Sequence, residues 1–125
     1  MRIAAWVVVP VACLLAGLGA MTLHAQEDEL DPIKVAPDVQ KVRFENAFVR
    51  VSEERMPAGR AVPRHRHHRG IVIAMADYQT EQTLEDGRKV VSNRKVGEIN
   101  WQETFVHAVR NSGNTDQWAI RIELK

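Results

Sequence analysis

His65 and His67 stand two positions apart in the stretch from Gly59 to Arg69, and His107 follows much further along the chain. On a β-strand, residues i and i+2 point to the same face, so the first two rings sit about 6.5–7 Å apart at Cα. Imidazoles at that separation can converge on one small ion. A third ring from a distant strand would complete a set of neutral nitrogen donors at ~2.0–2.1 Å and leave a coordination position open, as catalytic sites need. Histidine-rich sites suit Zn, Fe, Ni or Cu, and Mn stays among the candidate divalent ions. The plainer alternative is three hydrogen-bonded histidines in a β body, with no metal.

Other chemistries find little support. Ser52, Ser92 and Ser112 stand in no nucleophile motif, and the chain has one cysteine, Cys13. There is no phosphate-binding glycine loop and no dinucleotide fingerprint. Glu53 and Glu54 are neighbours on a strand and point to opposite faces, which does not suit a paired-carboxylate site.

The elements that must position the histidines begin at Val42. From there the chain runs in short β-rich stretches separated by turn residues, with no amphipathic helix. Strands are expected near 42–44, 48–56, 62–67, 71–76, 78–84, 88–96, 99–101, 105–109 and 118–124. Asp86-Gly87 is a hairpin signal. About eight antiparallel strands in two packed sheets make a jelly roll, so the fold class expected is all-β. If His65 and His67 point inward, so does Pro63, while Arg64, Arg66 and His68 point out. Beyond a bend at Gly70, Ile71, Ile73 and Met75 form the expected inward set. Phe105, His107 and Val109 share a face on a later strand. Trp118, Ile120, Ile122 and Leu124 alternate with Ala119, Arg121 and Glu123 in a half-buried last strand. Trp101, Phe105 and Trp118 read as core, and Asn111 as a turn residue fixing a strand end through local hydrogen bonds. Arg60, Arg64, Arg66 and Arg69 read as a solvated rim; one reaching the mouth would attract a carboxylate or phosphate.

Residues 1–41 stand apart. Arg2 gives a positive start, 3–23 carry no charge, and Glu27, Asp28 and Glu29 follow Ala25. This describes a secretory signal peptide, residues 1–25, with cleavage after Ala25. The alternative is an uncleaved membrane anchor, since the apolar run is close to the ~20 residues that span a bilayer. Pro10 and the small residues Ala16, Gly17, Gly19 and Ala20 argue against a span. Cleavage implies a periplasmic or secreted protein with no stable membrane association. It removes Cys13 and Arg2, so no disulfide is available and the formal charge falls from +1 to zero. A neutral domain gives no electrostatic case for nucleic acid. Residues 26–41, with Pro32 and Pro37, read as a lead-in arm across a domain spanning 42–125.

The site carries a family resemblance. Gly59, five residues, His65, one residue, His67 resembles the first half of the first cupin motif. Gly97, then His107, three residues, Asn111 resembles the second. The resemblance covers nearly all of 42–125. It implies a small single-domain cupin of the conserved-barrel "cupin 2" type, a double-stranded β-helix. His65, His67 and His107 would hold a divalent metal near its centre, and Ile71, Ile73, Met75 and Phe105 would shape a dry pocket. The sequence departs from the pattern in three ways. Ile71 and Val72 stand where the motif glutamate belongs. Glu103 and Phe105 replace the proline and glycine before the last histidine. The spacing there is one residue short. Gln79, Gln102 or Glu103 could stand in for the missing ligand, and Glu103 and Tyr78 are candidates for acid–base work. Two functions are compatible with this: a metal-dependent enzyme, dioxygenase- or isomerase-like, acting on a small polar molecule, or a non-catalytic module that binds or senses one. The resemblance also implies that a homodimer is feasible, since cupins commonly pair through sheet edges and a short single domain gains core that way.

Overall fold

A computed structural model describes residues 28–125, so the expected signal peptide lies outside the described residues. Among them the one helix is a single turn, α1 (Pro32–Val35). Asp31 caps it by accepting the Ile33 N–H at 3.0 Å, and Pro32 sits in the first turn, where its missing N–H costs nothing. Nine strands follow: β1 (Gln40–Glu45), β2 (Val49–Met56), β3 (Ala61–His67), β4 (Gly70–Ala74), β5 (Tyr78–Leu84), β6 (Lys89–Arg94), β7 (Ile99–Gln102), β8 (Phe105–Asn111) and β9 (Gln117–Leu124). The sequence marks nine β-rich stretches, read as about eight strands. The fold is an all-β jelly roll with almost no helix, as expected. One sheet has the order β1-β2-β9-β4-β7 and the other β3-β8-β5-β6. Every pairing is antiparallel.

Residues 28–36 lie beside β3, the edge of the smaller sheet. The Arg66 N–H donates to the Leu30 carbonyl at 2.8 Å, and Asp28 pairs with Arg66 at 2.9 Å. Asp31 reaches across to Arg50 on β2 at 2.8 Å. A small apolar cluster of Ala36, Val39, Met56 and Val62 holds the arm down, and a second cluster contains Val72, Ala74, Tyr78 and Ala119.

The expectation of an oily interior is overturned. The buried faces of β2 and β9 carry Ser52, Glu54, Gln117, Arg121 and Glu123, while Trp118, Ile120 and Ile122 lie half-buried on the outside. On β4 the inward set is Gly70, Val72 and Ala74; Ile71 and Ile73 face outward and Met75 is 36% exposed. The cause is the corner between sheets. His67 ends β3 facing in, His68 and Arg69 make the exposed link, and β4 restarts with Gly70 inward, one step out of phase with simple alternation. Trp101, expected in the core, is 55% exposed, and Trp118 lies under the Arg55 guanidinium at 3.8 Å. An apolar row therefore crosses all five strands of the larger sheet on its outer face. It runs Trp101, Ile71, Ile122, Val51, Phe44, each residue paired with the next.

Two positions explain local sequence choices. Gly70 packs so close to β9 that an added Cβ would overlap the Ile122 carbonyl oxygen. Gly70→Ala is expected to destabilise the domain by about 2 kcal/mol, the usual cost of overpacking, read as a lower urea midpoint. A midpoint unchanged from wild type would contradict this contact. Asn111 is fully buried and does more than fix a turn. Its amide donates to the Met56 and Thr115 carbonyls at 2.9 and 2.8 Å and accepts the Gly113 N–H, joining the end of β8 to the end of β2.

Candidate metal centre

Gly59, with φ +80°, turns the chain into β3, and Gly97, with φ +82°, turns it toward β7; both need the left-handed region that glycine enters freely. A register shift between Val62 and His65 marks a bulge in β3. Pro63 was expected inward with His65. It is exposed instead, because the bulge interrupts the alternation and Pro has no N–H to give the ladder. The bulge also turns the Pro63 carbonyl toward His65. Beyond it, His65 pairs directly with His107 on β8, and His67 with Phe105. Two strands far apart in sequence thus bring the three rings together.

All three histidines are buried, at 4% exposure or less. The Nε2 atoms of His65 and His67 are 3.0 Å apart, and those of His65 and His107 are 3.1 Å apart. Each Nδ1 faces an acceptor: the Pro63 carbonyl at 2.7 Å, a Glu123 carboxylate oxygen at 3.0 Å from His67, and the Gln82 side-chain carbonyl at 3.1 Å from His107. The same Glu123 oxygen accepts the His68 N–H at 3.1 Å. An acceptor facing each Nδ1 requires a proton there, so neutral rings carry bare lone pairs on Nε2. Three such lone pairs turned toward one another repel unless a cation sits between them. Ligands at 2.0–2.1 Å around a tetrahedral ion stand roughly 3.3 Å apart, close to the two spacings at His65, and all three ligand atoms lie within 4.8 Å of one another. The outer partners on Nδ1 match the way metal-bound histidines are held. The three rings could hold a metal ion.

Electrostatics favour the neutral rings. Burial pushes all three imidazoles down; His67 falls well below its ordinary value, and His107 to about 2 with help from its two neighbouring histidines. Burial pushes the Glu123 carboxyl up, against the pull of Arg121. For Glu54 burial acts in the same direction, but the Arg121 guanidinium, through its charge and its hydrogen bond, holds it below the ordinary carboxylate range.

The cavity beside the rings holds about 50 Å³. Its walls include Glu54, Arg121, Tyr78, Gln102 and Phe105, and Val72 rather than Ile71, Ile73 or Met75. Glu54 is fully engaged. It accepts from Arg121 Nε at 2.6 Å, Gln40 at 2.9 Å and Gln117 at 3.0 Å. The two glutamines donate to it through nitrogen, and their carbonyl oxygens, both buried, have no protein partner. Of the proposed substitutes for the motif glutamate, Gln102 alone reaches this cavity, where it accepts from Arg121. Gln79 bonds Asn93 away from it, and Glu103 is exposed and accepts from the Trp101 indole. Glu103 is thereby removed as an acid–base candidate. Tyr78 lines the cavity, but burial raises its hydroxyl to about 12.

None of the four rim arginines lines the inner cavity. Arg60 pairs with Asp38, Arg64 with Glu85 and Arg66 with Asp28, and His68 is exposed. Arg66 and His68 border a larger cleft of about 410 Å³ on the other side of Glu123. Sequence reasoning missed Glu54, Arg121 and Glu123. The available signal was the polar set Gln117, Arg121 and Glu123 at alternate positions of an otherwise apolar strand.

No protein-family model matches the chain, and none of the curated proteins compared with it does. Solved structures do. A cupin domain from Bordetella pertussis Tohama I is 28% identical, with a TM-score of 0.64 over 70% of this chain and 92% of that one. An RmlC-like cupin family protein with a double-stranded β-helix fold from Methanocaldococcus jannaschii is 19% identical, with a TM-score of 0.54 over 69% of this chain and 78% of that one. An uncharacterized conserved protein with a double-stranded β-helix domain from Klebsiella pneumoniae is 18% identical, with a TM-score of 0.54 over 67% and 73%.

Proposed function

Because the chain is a small cupin-domain protein with three imidazoles gathered inside its barrel, we propose that it is an exported, metal-dependent protein acting on a small polar molecule. The observation that carries this reading is the convergence of three Nε2 lone pairs whose Nδ1 atoms are all held from behind. His65, His67 and His107 would hold a divalent ion, and an all-imidazole set favours Zn, Cu, Ni or Fe over Mn. Bound there, the ion supplies a Lewis acid and, if it is iron, a site for dioxygen.

The chain's own residues set the substrate's character. The Gln40 and Gln117 carbonyl oxygens offer acceptors to hydroxyl or amino groups. Arg121 and Glu54 keep the floor polar, and Phe105, with its ring centre 4.5 Å from that of His107, covers one side of the site. A small polar compound fits this lining. The sequence pattern of residues 1–25 supports export, which would put the protein in the periplasm or outside the cell. Among the described residues no helix is long and apolar enough to cross a membrane.

A second reading, a module that binds or senses without turnover, is favoured by one observation. No carboxylate in the cavity is free to move a proton, because Glu54 is held by three partners. One preparation tests the main proposal: untagged protein from the cell envelope, read from its first residue and analysed for elements. It should begin at Gln26 and carry close to one divalent ion per chain. A start at Met1 would remove export. No metal on isolation, and none gained on dialysis, would remove the metal centre. Metal with no product across a panel of polar metabolites would leave the binding module.

A further inference from the structure

The three rings come from the smaller sheet, and the larger sheet faces them with a carboxylate that arranges two amides. Gln40 on β1 pairs directly with Glu54 on β2, and Gln117 on β9 pairs with Met56, two positions along the same face. Glu54 receives N–H groups from Gln40 at 2.9 Å, Gln117 at 3.0 Å and Arg121 at 2.6 Å. A carboxylate so surrounded only accepts. Each glutamine must therefore turn its nitrogen to Glu54 and its oxygen away, an orientation that an amide without such a partner leaves open. Both side chains line the cavity, at 5% and 8% exposure, and both oxygens are buried without a protein partner. Buried acceptors are rarely left unpaired.

We propose that Gln40 and Gln117 form a two-acceptor subsite for a pair of hydroxyl groups, so that the ligand is a two- or three-carbon compound carrying at least two of them. The inference rests on the reading of this barrel as a small-molecule site. Three observations select that ligand. The donors must come from the ligand, because Arg121 spends Nε on Glu54 and Nη1 on Gln102. Hydroxyls suit the site better than ammonium groups. Glu54 is already paired with Arg121, so an ammonium would meet no free counter-charge there. A hydroxyl also gives its proton while keeping lone pairs for an ion at the rings. Size sets the carbon count. At about 50 Å³ the cavity has room for only a few waters of ~10–15 Å³ each, and so for a handful of non-hydrogen atoms. Glu54 is a positioning residue in this arrangement: it holds both amides and touches no ligand.

The test is a titration of the isotope-labelled, untagged protein, read at the side-chain NH2 resonances of Gln40 and Gln117. It is run once on chelator-stripped protein and once after Zn²⁺ is added. The probes are glycerol, 1-propanol, 1,2-dimethoxyethane and glucose. Glycerol is expected to shift both resonances with a Kd on the order of 1 mM, attainable for a ligand of its size. The alcohol with one hydroxyl and the ether with none should bind at least ~10-fold more weakly, since each leaves a buried carbonyl unpaired. Glucose, with twice the non-hydrogen atoms of glycerol, should be excluded. Gln40→Met and Gln117→Met should each weaken glycerol ~10-fold and leave Zn²⁺ affinity unchanged, because neither touches a ring. Should these variants misfold, the comparison of probes on the wild type still decides. Glycerol that moves neither resonance at ~100 mM overturns the proposal, with ordered water alone satisfying the carbonyls. Equal binding of glycerol and 1-propanol, or of glucose, overturns it as well. Discrimination by a protein that takes up no Zn²⁺ would uphold the subsite and remove the metal centre, whereas Zn²⁺ uptake without discrimination would do the reverse.

Discussion

Replacing His65 with alanine is expected to abolish stoichiometric metal binding while the barrel stays folded. His65 is the middle of the three rings: its Nε2 lies 3.0 Å from that of His67 and 3.1 Å from that of His107. Its removal leaves two donors on opposite sides of a gap. An outer partner gives the comparison. Glu123→Gln keeps an acceptor opposite His67 Nδ1 but removes the carboxylate, and loss of such a partner costs about 10–100-fold in affinity. His65→Ala should cost more than that. The rings are uncharged where they lie, so deleting one leaves no unpaired charge, and the circular dichroism spectrum and urea midpoint should change modestly. Equilibrium dialysis against Zn²⁺ and Ni²⁺ reads the binding. Undiminished affinity in His65→Ala would show that any ion binds elsewhere. An affinity unchanged in Glu123→Gln would show that the carboxylate does not orient His67.

The second large effect falls on stability. Arg121 and Glu54 form an ion pair at 2.6 Å, with side chains 7% and 4% exposed. Taking one partner away strands the other charge in the barrel, which typically costs about 3–5 kcal/mol. Arg121→Met is therefore expected to lower the thermal midpoint by at least about 12 °C in a domain of this size. Adding Glu54→Gln to it removes the stranded charge and should recover a large part of the loss, since replacing both partners of a buried pair is often close to neutral. If the double variant were as unstable as the two single losses together, Arg121 would act through packing and not through its charge.

The fold could be read from the chain because its signals are local. Turn residues at Asp86-Gly87 and Asn111-Ser112-Gly113, and the β-rich runs between them, mark the strands without reference to tertiary contacts. The histidine set was legible for a related reason: the spacing of His65 and His67 fixes their common face, whichever sheet they occupy. What lies opposite them was not legible. The sidedness of β4 depends on how His68 and Arg69 turn the corner between sheets, and that corner inverts the reading of Ile71 and Ile73. On β9 the rule that apolar residues face inward gave the wrong side. Here the buried surface belongs to Gln117, Arg121 and Glu123, which find partners across the barrel that no local pattern reveals. Trp101 was misread by the same rule.

The lead-in has a bearing on how the chain keeps to itself. Through the Leu30 carbonyl it occupies the Arg66 N–H, on a strand that otherwise borders its sheet. An uncovered border strand is a template on which neighbouring molecules can stack without limit. Trimming the chain beyond Asp31 would therefore do more than shorten a tail. It would leave the rim of the smaller sheet open to pairing with another chain.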